Sequence, residues 1–413
     1  MASASRRVPT PKNGVDFRGK VVLAPMVRSG ELPMRLLALK YGADLVWGPE
    51  TVDQAMIGTT RRLNPHTQTI EFTRLPSHGA KTPCGSQRES VIYRIHPSRE
   101  SRNLIFQLGT ACPARAVEAA RLVAGDVAGI DVNAGCPKPF STMGGMGAAL
   151  LSTPDKLCAI LEALVKEVGS KYEIGISVKI RILKTSEETE ALVRKLCQTG
   201  ITGLTVHCRT RPMRPRERAI RDQLRMIGQV CREAGVACLM NGDVVSRDQA
   251  EELAQEYGVD GAMIATAAES NPSCFRSKDD GGFVPWKDLA AECLQAALEV
   301  GNKFGNTKFL LGNLIPGKDK LHRMVSTAKS YREVCELFGL AEELGGIARE
   351  VDERIGIVYD RDGKNAVKNA KLKNETARAA GGDTARKKPS PVDGRSVLAQ
   401  RGAEVSRALA VEI

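Results

Sequence analysis

The sequence predicts an α/β fold, a TIM (β/α)8 barrel followed by a smaller all-helical domain and a disordered basic tail. Short β-branched runs alternate with stretches of helical periodicity over roughly 250 residues, the usual length of such a barrel. After Pro272 the strand pattern stops, whereas helical periodicity continues to about residue 352. We therefore expect a disordered tail over 1–19, a barrel over 20–284, a helical domain over 285–352 and a largely disordered tail over 353–413.

Eight segments have the length and composition of buried strands. They are Val21–Pro25, Asp44–Gly48, Leu104–Leu108, Gly129–Asn133, Gly175–Ile182, Gly203–His207, Ala237–Asn241 and Gly261–Ala265. Segments with helical spacing follow most of them, and Ser186 and Ser246 are suitable N-caps for two of these helices. The helices are predicted at Pro113–Val123, Pro154–Val168, Ser186–Gln198, Glu217–Glu233 and Ser246–Tyr257.

Two regions depart from this alternation. The long gap from Thr51 to Arg102 is rich in Pro, Gly and charged residues, and we expect a short hairpin in it with Val91–His96 as one strand. Beyond the barrel, helical spacing without strands predicts helices at Leu289–Lys303, Thr307–Leu314, Lys329–Leu337 and Val397–Leu409.

The composition excludes several classes of protein. The chain has 413 residues, 42% of them hydrophobic, yet its longest apolar runs fall short of the roughly 18 residues that span a membrane. The 11 cysteines contain no C-x-x-C pair, so we expect neither a disulfide framework nor a structural zinc site. The N-terminus lacks the apolar stretch of a secretory signal. We therefore expect a monomer of the cell interior without metal or membrane partners, in the cytoplasm, with nuclear and mitochondrial locations left open.

Positive charge is clustered in two places. Lys and Arg number 60 against 48 Asp and Glu, which gives a formal net charge of +12. Seven arginines lie between Arg209 and Arg225 directly after a predicted strand, and a polyphosphate partner would explain them. The second cluster, Arg361–Lys388, has almost no large apolar residue and fits either a solubilising terminus or a nucleic-acid-binding tail.

Polar residues recur at the ends of the predicted strands. Functional groups of such barrels lie at the carboxyl ends of the strands, so these side chains should meet around one pocket. They are Gln107, Asn133, Lys179, Arg181, His207, Asn241, Gly242 and Asp243.

This arrangement favours an anionic planar cofactor. Gly242 and the Ala265–Ala268 turn follow the last two strands, where many barrels bind a phosphate with backbone N–H groups. Lys179 would supply a fixed charge near an electron-rich ring edge, which fits flavin mononucleotide (FMN). A pyridoxal enzyme with Lys179 as Schiff base is the competitor, although no strand-end Asp or Arg is evident as partner of the pyridine nitrogen.

Cys136 is the most specific candidate for catalysis. It lies between Gly135 and Pro137, just past the fourth predicted strand, which constrains it above the pocket. A thiol is mostly protonated at neutral pH, so it can donate a proton as well as act as a nucleophile.

Several motifs together resemble one family, the tRNA-dihydrouridine synthases. The resemblance covers roughly residues 20–345 and is strongest to the eukaryotic type that acts on uridine 20 of the tRNA D-loop. The motifs are APMV at 24–27, FQLGT at 106–110, DVNAGCPK at 131–138, GGMGAALL at 144–151, VKIRI at 178–182, VH-R at 206–209, NGD at 241–243, NP at 271–272, NTK at 306–308 and CELFGL at 335–340.

The resemblance implies a flavin barrel, a helical domain that helps to hold tRNA, and NADPH as reductant. Reduced flavin would deliver hydride to uracil C6, and Cys136 would protonate C5. Asn133 and Arg181 would hold the uracil, and Arg209 and Arg211 would contact the tRNA. FMN binding is assigned to Pro25, Met26, Val27, Gln107, Lys179, His207, Asn241, Gly242, Asp243, Ala265 and Thr266.

The chain departs from the family pattern at two positions of the proposed site. Thr266 stands where the family usually has an arginine near the flavin phosphate, and Cys208 replaces the usual glycine after His207. Two alternative functions stay open at this point: an FMN-dependent barrel acting on a small pyrimidine or enone, and a flavin-free RNA-binding descendant.

Overall fold

The computed structural model describes residues 8–75 and 89–357, in which the predicted barrel is confirmed. Within these ranges, eight parallel strands close on themselves in the order β1-β2-β7-β8-β9-β10-β11-β12 and back to β1. The strands are β1 Lys20–Leu23, β2 Leu45–Trp47, β3 Thr51–Val52, β4 Thr60–Asn64, β5 Thr69–Arg74, β6 Ser90–Ile95, β7 Leu104–Gly109, β8 Gly129–Ala134, β9 Gly175–Arg181, β10 Gly203–His207, β11 Ala237–Asn241 and β12 Gly261–Ile264.

Helices follow most of the barrel strands and continue after the last one. They are α1 Leu32–Lys40, α2 Asp53–Met56, α3 Pro113–Val123, α4 Pro139–Thr142, α5 Pro154–Leu164, α6 Ser170–Tyr172, α7 Ser186–Cys197, α8 Leu224–Ala234, α9 Arg247–Tyr257, α10 Thr266–Ser270, α11 Trp286–Glu299, α12 Phe304–Leu314, α13 Lys320–Thr327, α14 Tyr331–Phe338 and α15 Ala341–Arg354.

One predicted N-cap and one predicted helix start are wrong for identifiable reasons. The N-cap of α7 is Thr185 and not Ser186, because Thr185 Oγ1 accepts from the Glu188 N–H and the Glu188 carboxylate accepts from the Thr185 N–H. Helix α8 starts at Leu224 and not at Glu217, because the Ala219 N–H donates to the Asp243 carboxylate and holds that segment as a loop. Ser246 caps α9 as predicted.

The amino-terminal end of the barrel is closed by residues that the sequence analysis placed in a disordered tail. Backbone hydrogen bonds join Val8, Asn13 and Gly19 to loops that precede barrel strands. Phe17 is 2% exposed and its ring centroid lies 5.7 Å from that of Trp47. The structure thus differs from the expectation for residues 8–19, because one aromatic ring completes the apolar interior.

The gap between the second and third barrel strands holds an antiparallel sheet in the order β4-β5-β6. The predicted strand at Val91–His96 corresponds to β6, so the expected hairpin is confirmed with one further strand. A buried ion pair fixes this excursion: Arg35 of α1 donates through Nε and Nη2 to both carboxylate oxygens of Glu100, at 2.7 and 2.8 Å. Arg35 also donates to the Gly30 and Arg94 carbonyls, so its guanidinium ties α1 to β6.

The described residues form two compact units. One contains the barrel with α11, α12 and α13, up to Thr327. The other begins at Ala328 and includes α14 and α15, where Asp352 accepts from the Tyr331 and Arg332 N–H groups. The predicted boundary at residue 285 therefore differs from this grouping.

Parts of the expected organisation lie outside the described residues. These are the basic cluster Arg361–Lys388 and the helix near Val397–Leu409. Within 8–75 and 89–357, no helix is both long and apolar enough to cross a bilayer.

Glu100→Gln should lower the free energy of unfolding by about 3–5 kcal/mol, because it leaves the buried Arg35 guanidinium without its carboxylate. Glu299→Gln is the matched control, since it breaks the exposed pair with Arg99 and should cost about 0–1 kcal/mol. Urea unfolding of both variants measures the difference, and similar losses would contradict the assigned role of the buried pair.

Candidate active site

A cavity of about 460 Å³ opens at the carboxyl ends of the barrel strands. Most of the predicted site residues line it together, although they come from seven different strand ends. These are Pro25, Met26, Val27, Gln107, Asn133, Cys136, Lys179, Arg181, His207, Asn241 and Ala265.

Lys179 places a buried ammonium group in the wall of this cavity. Its Nζ donates to Asn241 Oδ1 at 2.9 Å, and Asn241 Nδ2 donates in turn to the Met263 carbonyl at 2.9 Å. Burial, and then the charge of Arg181, lower the pKa of Lys179 to about 8, while Asp131 opposes this shift. The group therefore remains mostly cationic at neutral pH and can pair with an anionic ligand.

His207 is held as a neutral ring. Burial, followed by the charges of Lys179, Arg181 and Arg209, lowers the pKa of His207 to about 2. Arg209 Nη1 lies 3.3 Å from His207 Nε2. Because a guanidinium can only donate, Nε2 must accept, and the ring proton belongs on Nδ1. His207 can therefore donate one hydrogen bond through Nδ1.

Beneath Lys179 lies a layer of buried polar residues that was not predicted from the sequence. Asp131 is fully buried and accepts from Gln107 Nε2 at 2.8 Å and Ser177 Oγ at 2.7 Å. Burial raises the pKa of Asp131 to about 6 in spite of these hydrogen bonds and of Lys179. Gln107 is thus fixed by Asp131 with its amide at the cavity wall.

The turn after β8 fixes Cys136 through its backbone. Asn133 Oδ1 accepts from the Gly135 and Cys136 N–H groups, at 2.9 and 3.0 Å. Arg181 Nε donates to the Gly135 carbonyl at 2.7 Å, and the Ala148 N–H donates to the Cys136 carbonyl at 2.8 Å. These contacts hold Cys136 at the cavity wall.

The electrostatic environment keeps the Cys136 thiol protonated. Burial raises the pKa of Cys136 to about 11, with a further contribution from the charge of Glu50, while Arg181 acts in the opposite direction. A thiol with this pKa is a proton donor at neutral pH.

Five predicted site residues are not part of the cavity wall: Arg209, Arg211, Gly242, Asp243 and Thr266. Arg209 is buried and donates to the Glu217 and Pro215 carbonyls, His207 and Asp243. Its guanidinium is committed within the protein, which argues against the predicted substrate contact. Arg211 is exposed.

The loop after β11 is also held from within. Asp243 accepts from Arg209 and from the Ala219 N–H, so its carboxylate does not project toward the cavity. Gly242 has a φ of +123°, and its carbonyl oxygen accepts a hydrogen bond from Arg221 Nη2. Thr266 is exposed at the start of α10.

Other residues of the cavity wall were not predicted from the sequence. Among them are Glu50, Lys138, Phe140 and Glu269. Glu50 follows β2 by three residues in the order Gly48, Pro49, Glu50, so the strand-end rule that found the other residues could have found it.

Gly147→Ala should displace the Cys136 turn. At φ +56° an added Cβ would lie 2.4 Å from Ser141 Oγ and 2.6 Å from the Cys136 carbonyl oxygen. Gly145 has a similar φ of +76°, but its added Cβ would only reach Ala111 Cβ at 3.6 Å. We expect Gly147→Ala to lower the free energy of unfolding by about 1–3 kcal/mol more than Gly145→Ala does, measured in urea. Equal losses would show that backbone strain alone is responsible.

Comparison with known proteins supports one family. Residues 22–336 match the family model described as dihydrouridine synthase. The tRNA-dihydrouridine(20) synthase (NAD(P)+) of Schizosaccharomyces pombe is 50% identical over 329 residues, which cover 78% of this chain and 66% of that protein. The enzyme of the same name from Saccharomyces cerevisiae is 42% identical over 388 residues, covering 92% of this chain and 100% of that protein.

A more distant relative is the tRNA-dihydrouridine(20a/20b) synthase (NAD(P)+) of Saccharomyces cerevisiae, 29% identical over 286 residues that cover 69% of this chain and 68% of that protein. The family model spans the barrel and its cavity, including Cys136 and Lys179. The chain is therefore an enzyme of the dihydrouridine synthase family.

Proposed function

We propose that this protein reduces uridine to 5,6-dihydrouridine at position 20 of the tRNA D-loop, with FMN as cofactor and NAD(P)H as reductant. The observation that carries the proposal is the juxtaposition of a buried cation and a protonated thiol, Lys179 and Cys136, in one cavity. The names of the two relatives that share 50% and 42% identity support the position.

The residues of the cavity fit FMN. The cavity lining includes Ala24, Pro25 and Met26, which suit the face of a flat ring, and Lys179, which adds a positive charge. Gln107 and the Nδ1–H of His207 supply neutral donors. We assign FMN binding to these residues together with Val27, Asn241, Gly242, Ala265 and Thr266. Backbone N–H groups near Thr266 would contact the phosphate of FMN.

Bound there, the flavin supplies hydride transfer from NAD(P)H to C6 of the uracil. Cys136 then gives its proton to C5, and the thiol is restored by a proton from water. Arg181 keeps N–H groups beyond those used on Gly135 and Thr210, so it can bind a carbonyl oxygen of the base. The Asn133 amide nitrogen can do the same, because its oxygen is already used within the Cys136 turn.

The RNA-binding surface includes the loop after β10. Arg211, Arg214, Arg216 and Arg218 are exposed on it, whereas Arg209 is buried at its base. Exposed arginines beside a cavity suit phosphates of an RNA whose target base leaves the stack. A small pyrimidine or enone would not need this surface, so we rank that alternative second. The flavin-free alternative has only the Thr266 departure in its favour, and the pyridoxal alternative lacks an evident strand-end partner for the pyridine nitrogen.

The decisive measurement is dihydrouridine mapping, nucleotide by nucleotide, on unmodified tRNA incubated with the protein, FMN and NADPH. Dihydrouridine should form at position 20, and Cys136→Ala should reduce the rate by about 10²–10⁴-fold while it retains flavin and tRNA binding, because only the acid is lost. Bound flavin with no dihydrouridine would favour the small-molecule alternative, and absence of flavin would favour the flavin-free one.

FMN affinity should fall as pH rises above about 8. In the ligand-free protein the pKa of Lys179 is about 8, so the ammonium is present below that pH and an anionic ligand binds that form better. Lys179→Met should bind FMN more weakly and without this pH dependence. Lys138→Met, which removes an exposed lysine of the same cavity, should retain it. Fluorescence titration of FMN from pH 6.5 to 9.5 tests this, and a pH-independent wild type would refute it.

A further inference from the structure

Glu50 is a carboxylate in the cavity wall that the proposed reaction does not yet use. Its Oε1 accepts from Ser141 Oγ at 2.9 Å. Its Oε2 is buried and makes no hydrogen bond within the part of the chain that the structure describes. Burying a carboxylate oxygen without a hydrogen-bond donor costs free energy. We therefore expect a neighbouring group to donate to Oε2.

Cys136 is a donor placed to meet that need. The Cys136 and Asn133 side chains are the polar neighbours of the Glu50 carboxylate besides Ser141. The backbone N–H of Lys138 interacts with the Cys136 sulphur as a donor, which leaves the S–H free to donate elsewhere. A small rotation of the thiol toward Oε2 would satisfy both groups.

Tight packing keeps the carboxylate and the thiol together. A Cβ at Gly109 would lie 2.5 Å from Glu50 Oε1, so the carboxylate packs directly against the β7 backbone. Gly147 plays the same part on the other side, where a Cβ would collide with Ser141 Oγ and with the Cys136 carbonyl oxygen. Ser141 is fully buried. The Glu50 carboxylate and the Cys136 turn are therefore both packed closely around Ser141.

We propose that Glu50 is a positioning residue for Cys136, whose S–H it accepts at Oε2, and that it thereby keeps the proton on sulphur. Cys136 then acts as a proton donor and not as a nucleophile. This inference rests on the proposed function, because only there does Cys136 have a proton to deliver.

The charges around Cys136 explain why such a partner is needed. Arg181 faces the thiol from β9 and favours the thiolate, and Lys179 interacts with it from the same strand. Glu50, from the loop after β2, opposes them and raises the pKa of Cys136 in addition to the effect of burial. A thiolate at this place could form a bond to uracil C6, the carbon that the hydride must reach, so suppressing it protects the reaction.

Alkylation of Cys136 by iodoacetamide in the tRNA-free protein tests the pair directly. The rate, measured at this one cysteine by peptide mass spectrometry from pH 6.5 to 10, follows the thiolate fraction. Glu50→Gln keeps the shape of the side chain and an acceptor for Ser141 but removes the charge. We expect alkylation of Cys136 at pH 8 to become about 3- to 10-fold faster, with the profile shifted to lower pH.

Glu269→Gln is the matched control. Glu269 lines the same cavity but accepts from the Ser29 hydroxyl instead, so its variant should leave the Cys136 profile unchanged. A wild-type profile for Glu50→Gln, or an equal shift in Glu269→Gln, would overturn the proposal. If Glu50→Gln does not fold, Ser141→Ala removes a hydrogen bond that favours the charged form of Glu50 and should therefore shift the profile in the same direction. An unshifted profile would again overturn the proposal.

Dihydrouridine formation provides a second readout. In Glu50→Gln the fall in rate at high pH should begin at lower pH than in the wild type, because the thiol loses its proton earlier; an unchanged profile would count against the proposal. If the wild type forms no dihydrouridine, the proposed function fails, whereas the alkylation profiles still decide whether Glu50 acts on Cys136.

Discussion

The burial of the Lys179 ammonium group is the constraint on which the rest of the site depends. A cation inside a barrel must be offset by nearby polar groups, and here Asn241 accepts from it while Asp131 lies one layer below. The same positive charge adds to the effect of burial in lowering the pKa of His207, and it lowers the pKa of Asp131 against the effect of burial. The charge states of the polar residues around the cavity are thus coupled to one buried charge.

The two-residue period of the strands separates the barrel interior into layers. On β9, Ser177, Lys179 and Arg181 alternate with apolar residues and point to the interior in succession toward the carboxyl end. Parallel register places Asp131 beside Ser177 and Gln107. At the opposite end the interior is apolar and Phe17 closes it. The apolar residues that stabilise the barrel and the polar residues of the candidate active site therefore lie at opposite ends of the same strands.

Features of the site that are determined by nearby residues in the sequence could be predicted, whereas features that depend on distant residues could not. Strand ends such as Lys179, His207 and Asn241 were predictable, because strand periodicity and the parallel barrel determine where they meet. The buried role of Arg209 was not, since it depends on Asp243, which follows the next strand and is adjacent only through β10–β11 pairing. Phe17 was missed because a single aromatic residue before the first strand carries no periodicity.

The position of Arg209 also explains how the loop after β10 is aligned with the cavity inside the barrel. One guanidinium donates to carbonyls of the loop and to the side chains that follow β10 and β11. Arg221 adds a second connection, to the carbonyls of Gly242 and Asp243. The base of the loop is thus fixed to the strands that carry His207 and Asn241, while its other arginines extend into solvent. In the proposed function, phosphate contacts made by those arginines would therefore be set at a defined distance from the cavity, as entry of a single extruded base requires.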